Sequence, residues 1–167
     1  MKSTGAGKVA YLGMFVALAF IFSYVEAVLP FSIAVPGIKL GLANIVVITA
    51  LYAFGIKEAF AISAVRIVLV AFTFSNTFTM IYSLAGGMLS WALMGIFKKS
   101  NRFSIIGVSV IGGVFHNIGQ LIIAAILMET VSLVYYLPIL MIGGTATGIV
   151  IGILGKSILK ILKTNSI

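Results

Sequence analysis

No cysteine occurs anywhere in the 167 residues, so disulfides, thiolate metal sites and cysteine nucleophiles are excluded. Aspartate is absent too, and the only acidic residues are Glu26, Glu58 and Glu129. Charged residues make up 8% of the chain, against about a quarter in globular domains, which excludes a soluble fold. Hydrocarbon and glycine fill the chain instead, with 62% hydrophobic residues and 18 glycines. A chain of this length is one domain holding about six spans of ~20 residues with short connections.

A formal charge of +8 would suit nucleic acid if the basic residues were grouped on one surface. They cluster instead at the ends of apolar segments, where a membrane protein uses them to set its orientation, so no nucleic-acid partner is expected. The N-terminal stretch has the basic start and apolar core of a signal peptide. Its apolar run is about 20 residues long and lacks a clean small-residue cleavage site, so a retained first span is expected.

Six helices are predicted, at about 8–29, 38–54, 57–73, 77–97, 104–128 and 138–162, as an all-α integral membrane bundle. Pro30, Pro36 and Gly37 make the segment between the first two a loop. Gly55 is expected to end the second helix in the left-handed conformation, and Ser75-Asn76 to cap the fourth. Lys98-Lys99-Ser100-Asn101-Arg102 is a basic turn, and Pro138 opens the last helix. The Tyr135-Tyr136 pair suits a membrane interface.

With both termini cytoplasmic, nine of the 11 basic residues fall inside and only Lys39 outside, a strong positive-inside signal for a multi-pass protein of the cell membrane. The remaining one is Arg66, midway along the apolar run 59–72. A charge at that depth is costly and marks a candidate functional site.

The other candidates are equally out of place. His116 and Gln120 share one face of the fifth helix with Gly112 and Ala124, and Asn117 lies about 100° round. Small residues above and below the polar pair would leave room for a ligand, although an interhelical hydrogen-bond knot fits the same pattern. Lys39 and Asn44 descend from the outer side on the second helix, and Glu26 sits near the outer end of the first. Lys39 and Arg66 against Glu26 leave a neutral-to-positive site, which favours a carboxylate or phosphate. Alternatively, Arg66 pairs with Glu26 or with backbone carbonyls and binds nothing.

Gly144, Gly148 and Gly152 form a small-residue ladder that would pack inside the bundle. A second ladder on the first helix, Ala6, Ala10, Gly13 and Ala17, is placed where a partner subunit can also dock. Gly5-Ala6-Gly7-Lys8 is no phosphate-binding loop, because Lys2 stands where that motif needs glycine and Val9 where it needs Ser or Thr. His116 has no second His, Cys or Asp beside it for a metal, so neither cofactor nor metal is expected.

Four runs carry a family resemblance: Pro36-Gly37-Ile38-Lys39-Leu40-Gly41-Leu42-Ala43-Asn44-Ile45, Lys57-Glu58-Ala59 with Arg66, Ser83-Leu84-Ala85-Gly86-Gly87, and His116-Asn117-Ile118-Gly119-Gln120-Leu121. Together they resemble the Gx transporter family, also labelled heptaprenyl diphosphate synthase component I. That family is similar to the substrate-binding S-components of energy-coupling factor (ECF) transporters. The resemblance implies a six-helix protein that captures a small precursor from outside and docks on a coupling subunit and two ATPases through helix 1. Ala10, Gly13 and Ala17 occupy the docking place. The site residues would be Lys39, Asn44, Arg66, His116, Asn117, Gln120 and Glu26, with segment 30–37 as a lid. The second label implies an accessory role in prenyl diphosphate or quinone synthesis. A prenyl diphosphate synthase holds diphosphate through Mg²⁺ on aspartate-rich motifs, and a chain without aspartate cannot carry that catalysis alone.

Overall fold

The computed structural model describes residues 5–28 and 41–164. They form α1 (Gly5–Val28), α2 (Leu42–Ala53), α3 (Ile56–Phe74), α4 (Thr77–Lys99), α5 (Ile105–Leu127) and α6 (Leu137–Thr164). The all-α six-helix bundle predicted from the sequence is the fold, with no strand among the described residues. Where a loop is expected before α6, Val131–Tyr136 wind into a short 3-10 helix that runs straight into it.

Local chemistry sets the helix ends. The Asn76 side chain accepts from the Thr79 amide at 2.8 Å and Ser104 from the Gly107 amide at 3.2 Å, so α4 and α5 each begin on a side-chain cap. Gly55 differs from expectation. Its φ of 127° and ψ of −178° lie outside the left-handed helical region, in a conformation essentially reserved for glycine. That conformation makes it at once the end of α2 and the N-cap of α3. Trp91 Nε1 donates to the Ile56 carbonyl at 2.7 Å, and Lys98 Nζ donates to the Leu51 carbonyl, so α4 clamps this turn from the side.

The described part of α2 is only 12 residues long, yet Ala43 and every residue from Ile45 to Leu51 are buried. A helix apolar on all sides belongs in the interior, and α2 is wrapped by α1, α3 and α6. Thr49 is the one hydroxyl in that buried run, and it donates back to the Ile45 carbonyl at 2.7 Å. Around α2 the neighbours run α1, α3, α4, α5, α6.

Glycine brings the outer helices together. The ladder of α6 faces α5: Gly144 lies against Gly113, Gly148 against Val110, and Gly152 against Ile106. Gly86 of α4 and Gly119 of α5 meet backbone to backbone. These contacts take the internal-packing reading of the glycine ladder, and such close approach is how helices associate where no hydrophobic effect separates them from lipid.

Large apolar side chains cover the outside, among them Phe72, Phe78, Ile142 and Val150. A continuous apolar exterior is unfavourable in water and matches a lipid environment. Four described segments are long and apolar enough to cross a membrane, those containing α1, α4, α5 and α6. The chain is a multi-pass membrane protein.

Candidate functional site: a polar chamber inside the bundle

The end of the bundle where α1 and α3 finish and α2 and α4 begin contains a chamber of about 160 Å³. Glu26 lines it from α1, Asn44 from α2, Arg66 from α3, and His116, Asn117 and Gln120 from α5. All the candidate binding residues that can be located therefore share one space. Lys39 and the proposed lid, 30–37, lie outside the described residues.

Arg66 reaches the chamber from the middle of α3. Its Nη1 donates to Ser23 Oγ at 3.2 Å, and its buried Nε has no hydrogen-bond partner among the described residues. Ser23 can accept because its own proton goes to the Ala19 carbonyl at 2.9 Å. Glu26 lies one turn further along α1, where its Oε1 accepts from the Gly41 amide. Gly41 has φ +73°, a left-handed conformation that suits glycine, and it brings that amide to the carboxylate as the chain enters α2. The only ion pair among the described residues is Lys8 with Glu58, so the expected alternative of an Arg66–Glu26 pair is not formed.

The α5 residues divide their work. Asn117 Nδ2 donates to the Leu140 carbonyl at 2.9 Å and so ties α5 to the first turns of α6. It is partly the interhelical knot that the sequence allows, while still lining the chamber. His116 and Gln120 lie against Gly86, whose missing side chain gives them their room. Gly112 does not open space beside His116 as expected, because Met94 of α4 fills that place.

Sequence reasoning missed as site residues the hydroxyls that line the same space: Ser23, Ser75, Thr79, Ser83 and Thr147. A signal was present, since Thr79 and Ser83 are four apart on one face of α4. Ala6, Ala10, Gly13 and Ala17 all face outward and are exposed, and nothing stands within 4 Å of a Cβ placed on Gly13. They are remote from the chamber, which none of them lines.

Fold and chamber together define an all-helical, multi-pass membrane protein built round an internal polar cavity with an arginine in its wall. The model of the family described as heptaprenyl diphosphate synthase component I matches residues 15–158, and the chain belongs to that family. Comparison with curated proteins and with solved structures finds no match.

Proposed function

We propose that this chain is the membrane-embedded, non-catalytic component of a heptaprenyl diphosphate synthase system, and that its chamber binds an anionic small molecule of that chemistry. Arg66 carries the reading. It is a cation inside the bundle with no carboxylate paired to it and with a buried Nε left to donate. A phosphate or carboxylate supplies both the countercharge and the acceptor, in the planar fork geometry that arginine offers.

The carboxylates support assigning the catalysis elsewhere. Glu26 accepts from Gly41 at one end of the bundle and Glu58 pairs with Lys8 at the other, with no aspartate in the chain. Holding Mg²⁺-diphosphate takes clustered carboxylate oxygens, so a partner, the second component of the synthase, carries the reaction. The test is reconstitution of that partner with and without this protein in vesicles. A change in rate or product length is the expected result, and identical products at identical rates overturn the reading.

The exposed helix-1 stripe favours a second reading, an S-component-like subunit that captures the same anionic solute from outside for an ECF transporter. Coupling subunit and ATPases would then co-purify with it, and Gly13→Trp would release them. Absence of those partners from a complex isolated from native membranes rules this reading out.

A further inference from the structure

A second cavity of about 350 Å³ adjoins the polar chamber, and the two share Asn117 and Gln120 in their walls. Beyond those two amides it is lined by Tyr82, Leu121, Ala124, Leu133, Tyr136 and Leu140. Its size falls in the ~300–1,000 Å³ range of small-molecule sites, and its wall is hydrocarbon and aromatic ring. The polar chamber, at about 160 Å³, is less than half the volume of this cavity.

One face of α5 connects the two spaces. His116 lines the polar chamber, Ala124 the apolar one, and Gln120 lies between them in both. At about 1.5 Å per residue the path from His116 to Ala124 is roughly 12 Å. Tyr82, Ala124 and Leu133 are half-buried and Tyr136 is exposed, so this cavity opens sideways from the bundle beside two half-buried amides, and its apolar wall offers a water chain no hydrogen-bonding groups. An occupant that is polar at one end and apolar along the other satisfies both spaces at once.

We infer that the site takes a single-chain amphiphile, with an anionic phosphate-type head at Arg66 in the polar chamber and an apolar chain passing Gln120 into the cavity beside Ala124. This rests on the reading of the chamber as an anion site and adds the chain to it.

The test uses the full chain in phosphatidylcholine nanodiscs, titrated with dodecyl phosphate, dodecanol and inorganic phosphate, with empty nanodiscs as the baseline. Dodecyl phosphate is expected to bind at least about tenfold tighter than either of the others. Ala124→Phe, which fills the apolar cavity and touches none of the polar chamber, is expected to weaken dodecyl phosphate at least about tenfold and leave inorganic phosphate unchanged. A separate readout does not depend on that variant folding: dodecyl phosphate brominated along its chain should quench the indole introduced by Tyr136→Trp. Equal affinity for inorganic phosphate and dodecyl phosphate, uptake no greater than by empty nanodiscs, or no quenching overturns the inference. Should these titrations fail while the synthase still responds to the protein, the amphiphile is lost and the component reading stands. The converse outcome removes the component reading and keeps the amphiphile.

Discussion

Arg66 donates to Ser23 and not to Glu26, although the two acceptors sit one turn apart on the same face of α1. The serine is a neutral acceptor whose proton is already committed to Ala19, and Glu26 is turned to the Gly41 amide. The arginine is therefore held by a neutral acceptor, with Glu26 near enough to act on its charge but not in contact with it. In a membrane interior that arrangement is costly, on the order of 2.5–3.5 kcal/mol for a cation near mid-helix on insertion scales. An anion bound in the chamber would remove much of that cost.

Removing the charge should consequently separate stability from function. Arg66→Leu is expected to leave the melting temperature in detergent unchanged or raised, because a poorly compensated charge is lost along with only one hydrogen bond. Anion binding, and any effect on the partner synthase, should fall by a factor of ten or more. Arg66→Lys keeps the charge without the fork and should retain only part of the binding. An Arg66→Leu variant that melts well below the natural protein yet binds the anion as tightly would show Arg66 to be structural.

Glycines give a prediction that contrasts two helices. A Cβ on Gly148 would stand 2.7 Å from the Val110 Cα, and one on Gly119 would stand 2.8 Å from the Gly86 Cα. Backbone cannot give way as a flexible side chain does, so Gly148→Leu or Gly119→Leu should cost at least about 2 kcal/mol and lower the yield of folded protein. Gly13→Ala faces open space and should stabilise α1 by about 0.5–1 kcal/mol, read as a higher melting temperature.

The difference between those two sets of glycines shows what the sequence can and cannot say. The α6 ladder and the α1 ladder both contain small residues four apart, and only packing tells that one is filled by α5 and the other is bare. Helix number was legible because apolar runs and capping residues are local signals. The convergence of Glu26, Asn44, Arg66, His116, Asn117 and Gln120 was legible as well, since polar residues in apolar helices have nowhere else to go. Partner choice was not. Whether Arg66 meets Ser23 or Glu26 depends on angstroms of helix offset, and whether space lies above or below His116 depends on Met94 of another helix. The apolar cavity left no signal, because its leucines and tyrosines look like any others.

Asn117 has two roles that a pair of substitutions can separate. Its bond to the Leu140 carbonyl joins α5 to α6, and such bonds in membrane proteins average about 0.6 kcal/mol with a maximum near 1.7. Asn117→Ala should lower stability by about that amount in a denaturation series. It also enlarges the opening shared by the two cavities, so a bulkier amphiphile should gain affinity relative to a slim one. Asn117→Leu costs the same bond but closes the opening, and should weaken both. Equal effects of the two variants on binding would place Asn117 outside the ligand path.

Orientation follows from the charges and is open to direct labelling. Lys8, Lys57, Lys98, Lys99 and Arg102 all lie at the end of the bundle away from the chamber, where α1 and α3 begin and α4 ends. Lys8 and Glu58 pair across α1 and α3 at that same end, which fixes the two helix starts on one side. By the excess of basic residues that side is expected to be cytoplasmic, which would place the chamber toward the outer face. The natural chain has no cysteine, so single-cysteine variants report without a background. Ser100→Cys and Thr130→Cys change exposed residues at opposite ends of the bundle and should fold normally. In intact cells a membrane-impermeant maleimide is expected to label Thr130→Cys and spare Ser100→Cys, and permeabilised cells should show both. Labelling of Ser100→Cys from outside would invert the orientation and turn the chamber toward the cytoplasm, where a soluble synthase could load it directly.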